Sequence, residues 1–63
     1  MDDDKKAFEL GRQWAQDHTL ESLGPQNDSE VLWQAARKAG CPLRFFDVFK
    51  YGCHDVWRER GEM

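Results

Sequence analysis

Long apolar runs are absent from these 63 residues, and so is any useful stretch of strand-like alternation. The first absence excludes a membrane span, and the acidic opening MDDDKKAFEL has none of the apolar core of a secretion signal. The second points away from sheet. Cysteine is scarce as well: Cys41 and Cys53 are too few for a disulfide framework, and without a secretion signal both are expected to be reduced, in a cytoplasmic protein. No internal repeat and no low-complexity linker divides the chain, so residues 1–63 read as a single domain.

Size narrows the function. A chain this short buries only about 60% of its unfolded surface, and its core supplies about 3–5 kcal/mol of net stability. It has little room for a deep pocket with a preorganised catalytic shell, so no enzyme, cofactor or small-molecule substrate is expected. Eight aromatic residues, three of them tryptophan, are a heavy apolar investment at this length. Part of that surface is available for a second chain, since oligomerisation is a common way for small chains to gain stability.

Charge is unevenly spread over a net of −3. Residues 1–30 carry eight acids against Lys5, Lys6 and Arg12, whereas residues 31–63 carry six bases against four acids. The acidic half opposes nucleic-acid binding and the basic half allows it. The acidic half also raises a third reading, an inhibitor that presents carboxylates to the basic site of a nucleic-acid-binding protein.

Three helical segments account for nearly all of the chain, which makes it all-α, a small bundle. The first spans about residues 3–18, with Ala7, Gly11, Trp14, Ala15 and His18 on one face. Ala7, Gly11 and Ala15 form a small-residue strip that admits a close helix, either within the domain or from a second copy as a self-association seam. The costly glycine at position 11 needs such a reason. His18 falls at the end of this face, as a core residue or as a donor to the last helical carbonyls. Gly24-Pro25 breaks the chain, and a bend after Thr19 would return Leu20 and Leu23 to the core.

The second helix, about 29–39, opens at QNDSE, where Asn27 and Glu30 have capping-box spacing. Val31, Leu32, Ala35, Ala36 and Ala39 form its buried face, and Gly40 suits the position just past its end. Trp33 leaves that face and stands one turn before Arg37. The third helix, about 42–60, starts with Pro42 at its first position and buries Phe45, Phe46, Phe49, Cys53, Val56 and Trp57, with a kink expected near Gly52. Val48 and Tyr51 point outward.

Three site chemistries compete. Cys53-His54-Asp55 holds the side chains of a nucleophilic triad, but neighbours on one helix point about 100° apart and cannot meet one reacting atom. Cys41, Cys53, His54 and His18 match no zinc-ligand spacing, so no metal is expected. The third chemistry is carried by AARKAGCPLRFFDVFKYG: Ala36 four positions before Gly40, with Ala35, Ala39, Cys41, Phe46 and Phe49 in the surrounding apolar places. Over residues 32–51 this stretch resembles the helix-turn-helix superfamily. The resemblance implies a compact DNA-binding transcriptional regulator with Lys38, Arg44 and Lys50 on DNA. Against it, the outward positions of the reading helix would be Leu43, Arg44, Asp47, Val48 and Tyr51, with one repelling carboxylate and few polar groups for base edges.

The expected function is therefore protein–protein interaction, by a small regulator that binds another protein or itself as a homodimer. Trp33, Arg37, Val48 and Tyr51 are its candidate contact residues, because exposed Trp, Tyr and Arg dominate interface energetics. Small stand-alone chains of this kind are common in phages and mobile elements, a background expectation that no residue carries.

Overall fold

The computed structural model describes residues 2–23 and 28–62, and the regular elements among them are all helices. Helix α1 runs Asp2–Gln16, a 3₁₀ turn covers Glu21–Leu23, and α2 runs Asp28–Lys38. A second 3₁₀ turn at Leu43–Phe45 leads into α3, Phe46–Glu59. The all-α bundle of three helices is thus the architecture. The expected Asn27 cap lies outside the described residues.

The bundle is built on α1 against α3. Contacts advance in the same direction along both helices, Phe8 beside Gly52, Arg12 beside Asp55 and Ala15 beside Arg60, so the two run parallel. Ala7, Gly11 and Ala15 are buried in this seam. The small-residue strip is therefore occupied by α3 of the same chain and is not available as a self-association surface. Gly52 is its counterpart: α3 passes through it without a break, and its missing side chain lets the carbonyl of Phe8 approach. The glycine expected to kink the helix instead lets two backbones touch.

Parallel helices bring two carboxy-terminal ends together, where the partial negative charges repel. Arg60 answers this. Its Nη2 donates to the carbonyls of Ala15 at 3.1 Å and His18 at 2.9 Å, and its Nη1 to that of Gln16 at 3.4 Å. Trp57 Nε1 donates to the same His18 carbonyl at 3.0 Å, and Glu62 Oε1 accepts from the Leu20 N–H at 2.8 Å. Glu62 also holds Arg60 in place through an ion pair of 2.7 Å. The end of α3 thus clamps the end of α1 and the bend after it.

Trp57, Phe49, Leu32 and Cys53 are the largest fully buried side chains, with Leu23, Ala35, Ala36, Cys41 and Val56 around them. Leu20 and Leu23 do return to this core after the bend. Helix α2 contributes a narrower face than its periodicity predicts. Val31 and Ala39 are exposed, because only Leu32, Ala35 and Ala36 lie on the line of contact. Phe45 and Phe46 are half-buried, and α3 starts four residues later than expected, since Pro42 leads into the 3₁₀ turn instead. Both α2 and α3 end on a glycine of positive φ, Gly40 at 83° and Gly61 at 78°. At Gly40 the N–H of Cys41 reaches back to Ala36 and that of Gly40 to Arg37, which satisfies the last carbonyls of α2.

Candidate functional site

Of the side chains singled out by sequence, Trp33 and Arg37 are the pair that the structure brings together. They lie one turn apart on α2, and the Arg37 guanidinium carbon sits 4.9 Å from the centre of the Trp33 ring. Trp33 is 37% exposed although tryptophan carries one of the largest apolar surfaces of any side chain. With Gln34 and Lys38 the pair lines an open hollow of about 390 Å³. On the other flank of α2 a groove of about 550 Å³ has Trp14, His18, Leu23, Val31 and Ala35 in its walls, and Gln34 and Lys38 form the ridge between the two.

His18 lies past the end of α1 and is exposed, not a core residue. Its ring stacks on Trp14, with centroids 4.0 Å apart and planes 10° from parallel, and its Nδ1 donates to the Trp14 carbonyl at 2.8 Å. It therefore serves a last-turn carbonyl, the second of the two roles its position allows.

The remaining candidates are dispersed. Tyr51, 64% exposed, belongs to a shallow hollow with Phe8, His54, Asp55 and Arg58, which shares no residue with the Trp33 hollow. Asp55 there is already paired with Arg12, which also reaches Glu59 at 3.3 Å. Val48 is half-buried against the core and is not an exposed contact residue, because the register of α3 turns it toward that core. Lys38 and Arg44 are exposed, Arg44 with its guanidinium 5.0 Å from the Phe45 ring centre, and Lys50 is half-buried. Residues 39–45 separate α2 from α3, with the 3₁₀ turn among them, so the Gly40 corner is longer than the three- or four-residue turn of a tight helix-turn-helix.

The cysteines are free and buried. The Cys53 thiol donates to the Gly11 carbonyl at 3.2 Å, and burial pushes its pKa up to about 12; Cys41, beside the carbonyl of Phe45, is also raised by burial. A thiol held protonated inside the α1–α3 seam is a structural group rather than a nucleophile. Among the described residues no three His, Cys, Asp or Glu side chains cluster as metal ligands, and no helix is long and apolar enough to cross a membrane.

Sequence reasoning missed the Arg60–Glu62 clamp. Both residues lie beyond the apolar stripe of the last helix, and nothing in their spacing marks them as partners of residues 15–20. No family model, curated protein or solved structure matches the chain.

Proposed function

We propose that this chain is a small non-enzymatic binding protein that works by docking the outer surface of α2 onto another protein. The observation that carries this reading is the exposed Trp33 with Arg37 laid over its ring. A rigid aromatic held by its neighbour loses little freedom on binding, and Trp and Arg are the side chains whose truncation most often costs binding energy. Gln34 and Lys38 supply polar contacts at the rim, and the flanking groove offers apolar walls to a side chain of the partner.

The test places a photo-crosslinking amino acid at Gln34 and compares the covalent adducts of the parent with those of Trp33→Ala. The expected result is loss of the adducts with helicity retained and the melting temperature lowered by no more than several degrees. Full adduct yield from a correctly folded Trp33→Ala sinks the assignment.

A second reading, DNA binding through residues 31–51, is favoured by the exposure of Lys38 and Arg44 on either side of the Gly40 corner. Anisotropy of a labelled duplex at about 50 mM salt decides it, because phosphate contacts strengthen steeply at low salt. Binding that fades as salt rises supports it, and no binding at high protein concentration ends it.

A further inference from the structure

Glu30, Trp33 and Arg37 follow one another at three- and four-residue steps and so share one outward stripe of α2. All three are exposed, as is Gln34 between them. The stripe reads acid, aromatic, base from its amino-terminal end. Turned end for end it reads base, aromatic, acid, so it is complementary to its own reversed copy. We propose that a second copy of this chain docks on this stripe, with the two α2 helices antiparallel about a two-fold axis passing close to Trp33 and Gln34.

This inference rests on the reading of α2 as a protein-binding surface and names the partner. In the antiparallel pair Glu30 of each copy faces Arg37 of the other, and symmetry makes that attraction twice. Lys38 adds to the basic end. Trp33 meets its counterpart beside the axis, where the two indoles cover each other. A parallel pair would instead set Glu30 against Glu30 and Arg37 against Arg37, and would align the helix dipoles unfavourably. The other surface suited to a close helix, the Ala7–Gly11–Ala15 strip, is already filled by α3.

The size of the face sets the strength of the dimer. Helix α2 has 11 residues, a length of about 16 Å at the ordinary rise. Two such helices bury less than about 1,200 Å², the lower end of specific interfaces, so the association is weak and concentration-dependent.

Sedimentation velocity on the full chain tests this, at concentrations up to about 1 mM, where even millimolar affinities register. The parent is expected to rise from its 7.4 kDa monomer toward twice that mass. Glu30→Arg or Arg37→Glu alone brings like charges together twice and weakens dimerisation by about tenfold or more. An equimolar mixture of the two variants recovers it, because each basic site then faces an acidic one. Melting curves confirm that all variants are folded, and Trp33→Ala weakens association while lowering the melting temperature by no more than several degrees. A parent that stays monomeric overturns the proposal, as does a mixture that associates no better than its components. Monomeric behaviour together with Trp33-dependent crosslinks to another protein would sink only the self-pairing. Crosslinks that survive Trp33→Ala would sink the wider reading of α2.

Discussion

Gly11 lies directly against the main chain of Phe49: a Cβ on Gly11 would stand 2.1 Å from the Phe49 carbonyl oxygen. The relationship is reciprocated one turn along, where a Cβ on Gly52 would stand 2.2 Å from the carbonyl oxygen of Phe8. Two glycines on facing helices thus let the backbones of α1 and α3 meet. The Cys53 thiol closes the same contact by donating to the carbonyl of Gly11.

Gly11→Ala and Gly52→Ala are therefore expected to destabilise the fold, although alanine is favoured over glycine in a helix by about 1 kcal/mol. The obstructing atoms are backbone and cannot rotate away, so the helices must separate. The net cost should be at least about 2 kcal/mol, a large share of what so small a core supplies. Thermal melts followed by circular dichroism check this. A variant that melts at or above the parent would show that the seam opens freely.

The helices were legible in the sequence because each carries a three- and four-residue apolar pattern, and α2 and α3 each run into a glycine signal. Gly40 closes α2 as its position predicts. What could not be read was which surface each small residue serves. Ala7, Gly11 and Ala15 fit an internal helix and a second copy equally well, since periodicity records a face and not its occupant. Gly52 looked like a kink for the same reason: its need for space arises from Phe8, forty-four positions earlier in the chain. Val48 was misassigned because Gly52, one turn further along the same flank, is buried against α1 and widens the buried face of α3. Trp33 and Arg37 were legible because both lie on one short helix, where spacing alone decides that they touch.

Arg60→Met should cost about 1 kcal/mol, less than full burial would give because the side chain is 36% exposed. Methionine keeps an apolar stem but leaves the Gln16 carbonyl to water, that of Ala15 to the His18 N–H and that of His18 to Trp57 alone. Arg60→Lys should recover only part of the loss, since an ammonium cannot fork to three carbonyls as a guanidinium does. Urea midpoints measure both, with Arg58→Met as a control that should change little. Equal midpoints for the parent and Arg60→Met would remove the clamp from the account.

Cys53 gives a pH dependence of defined sign. Its folded pKa, about 12, lies above the ordinary value of 9.0, so the folded state favours the protonated thiol. The resulting stability is fully present below pH 9.0 and is lost as pH rises toward 12. At pH 8 the parent should exceed Cys53→Ala in stability, through packing and the hydrogen bond to Gly11. That difference should shrink steadily in urea titrations at higher pH. A difference that is flat across this range would mean the thiol ionises as easily inside the seam as in water.

The tryptophans divide by role. Trp57 is fully buried and donates to the His18 carbonyl, so Trp57→Ala should cost about 3 kcal/mol or more and leave little folded protein. Trp33 touches Arg37 at the surface, and Trp33→Ala should cost no more than about 1 kcal/mol, the worth of one exposed cation–π contact. Melting temperature and association therefore respond to opposite substitutions. Trp57→Phe, a milder change, should lower the melting temperature while the fraction still folded associates normally. Trp33→Ala should melt no more than several degrees below the parent and fail to associate. If Trp33→Ala instead collapses the fold, its ring belongs to the core and α2 loses its claim to be the binding surface.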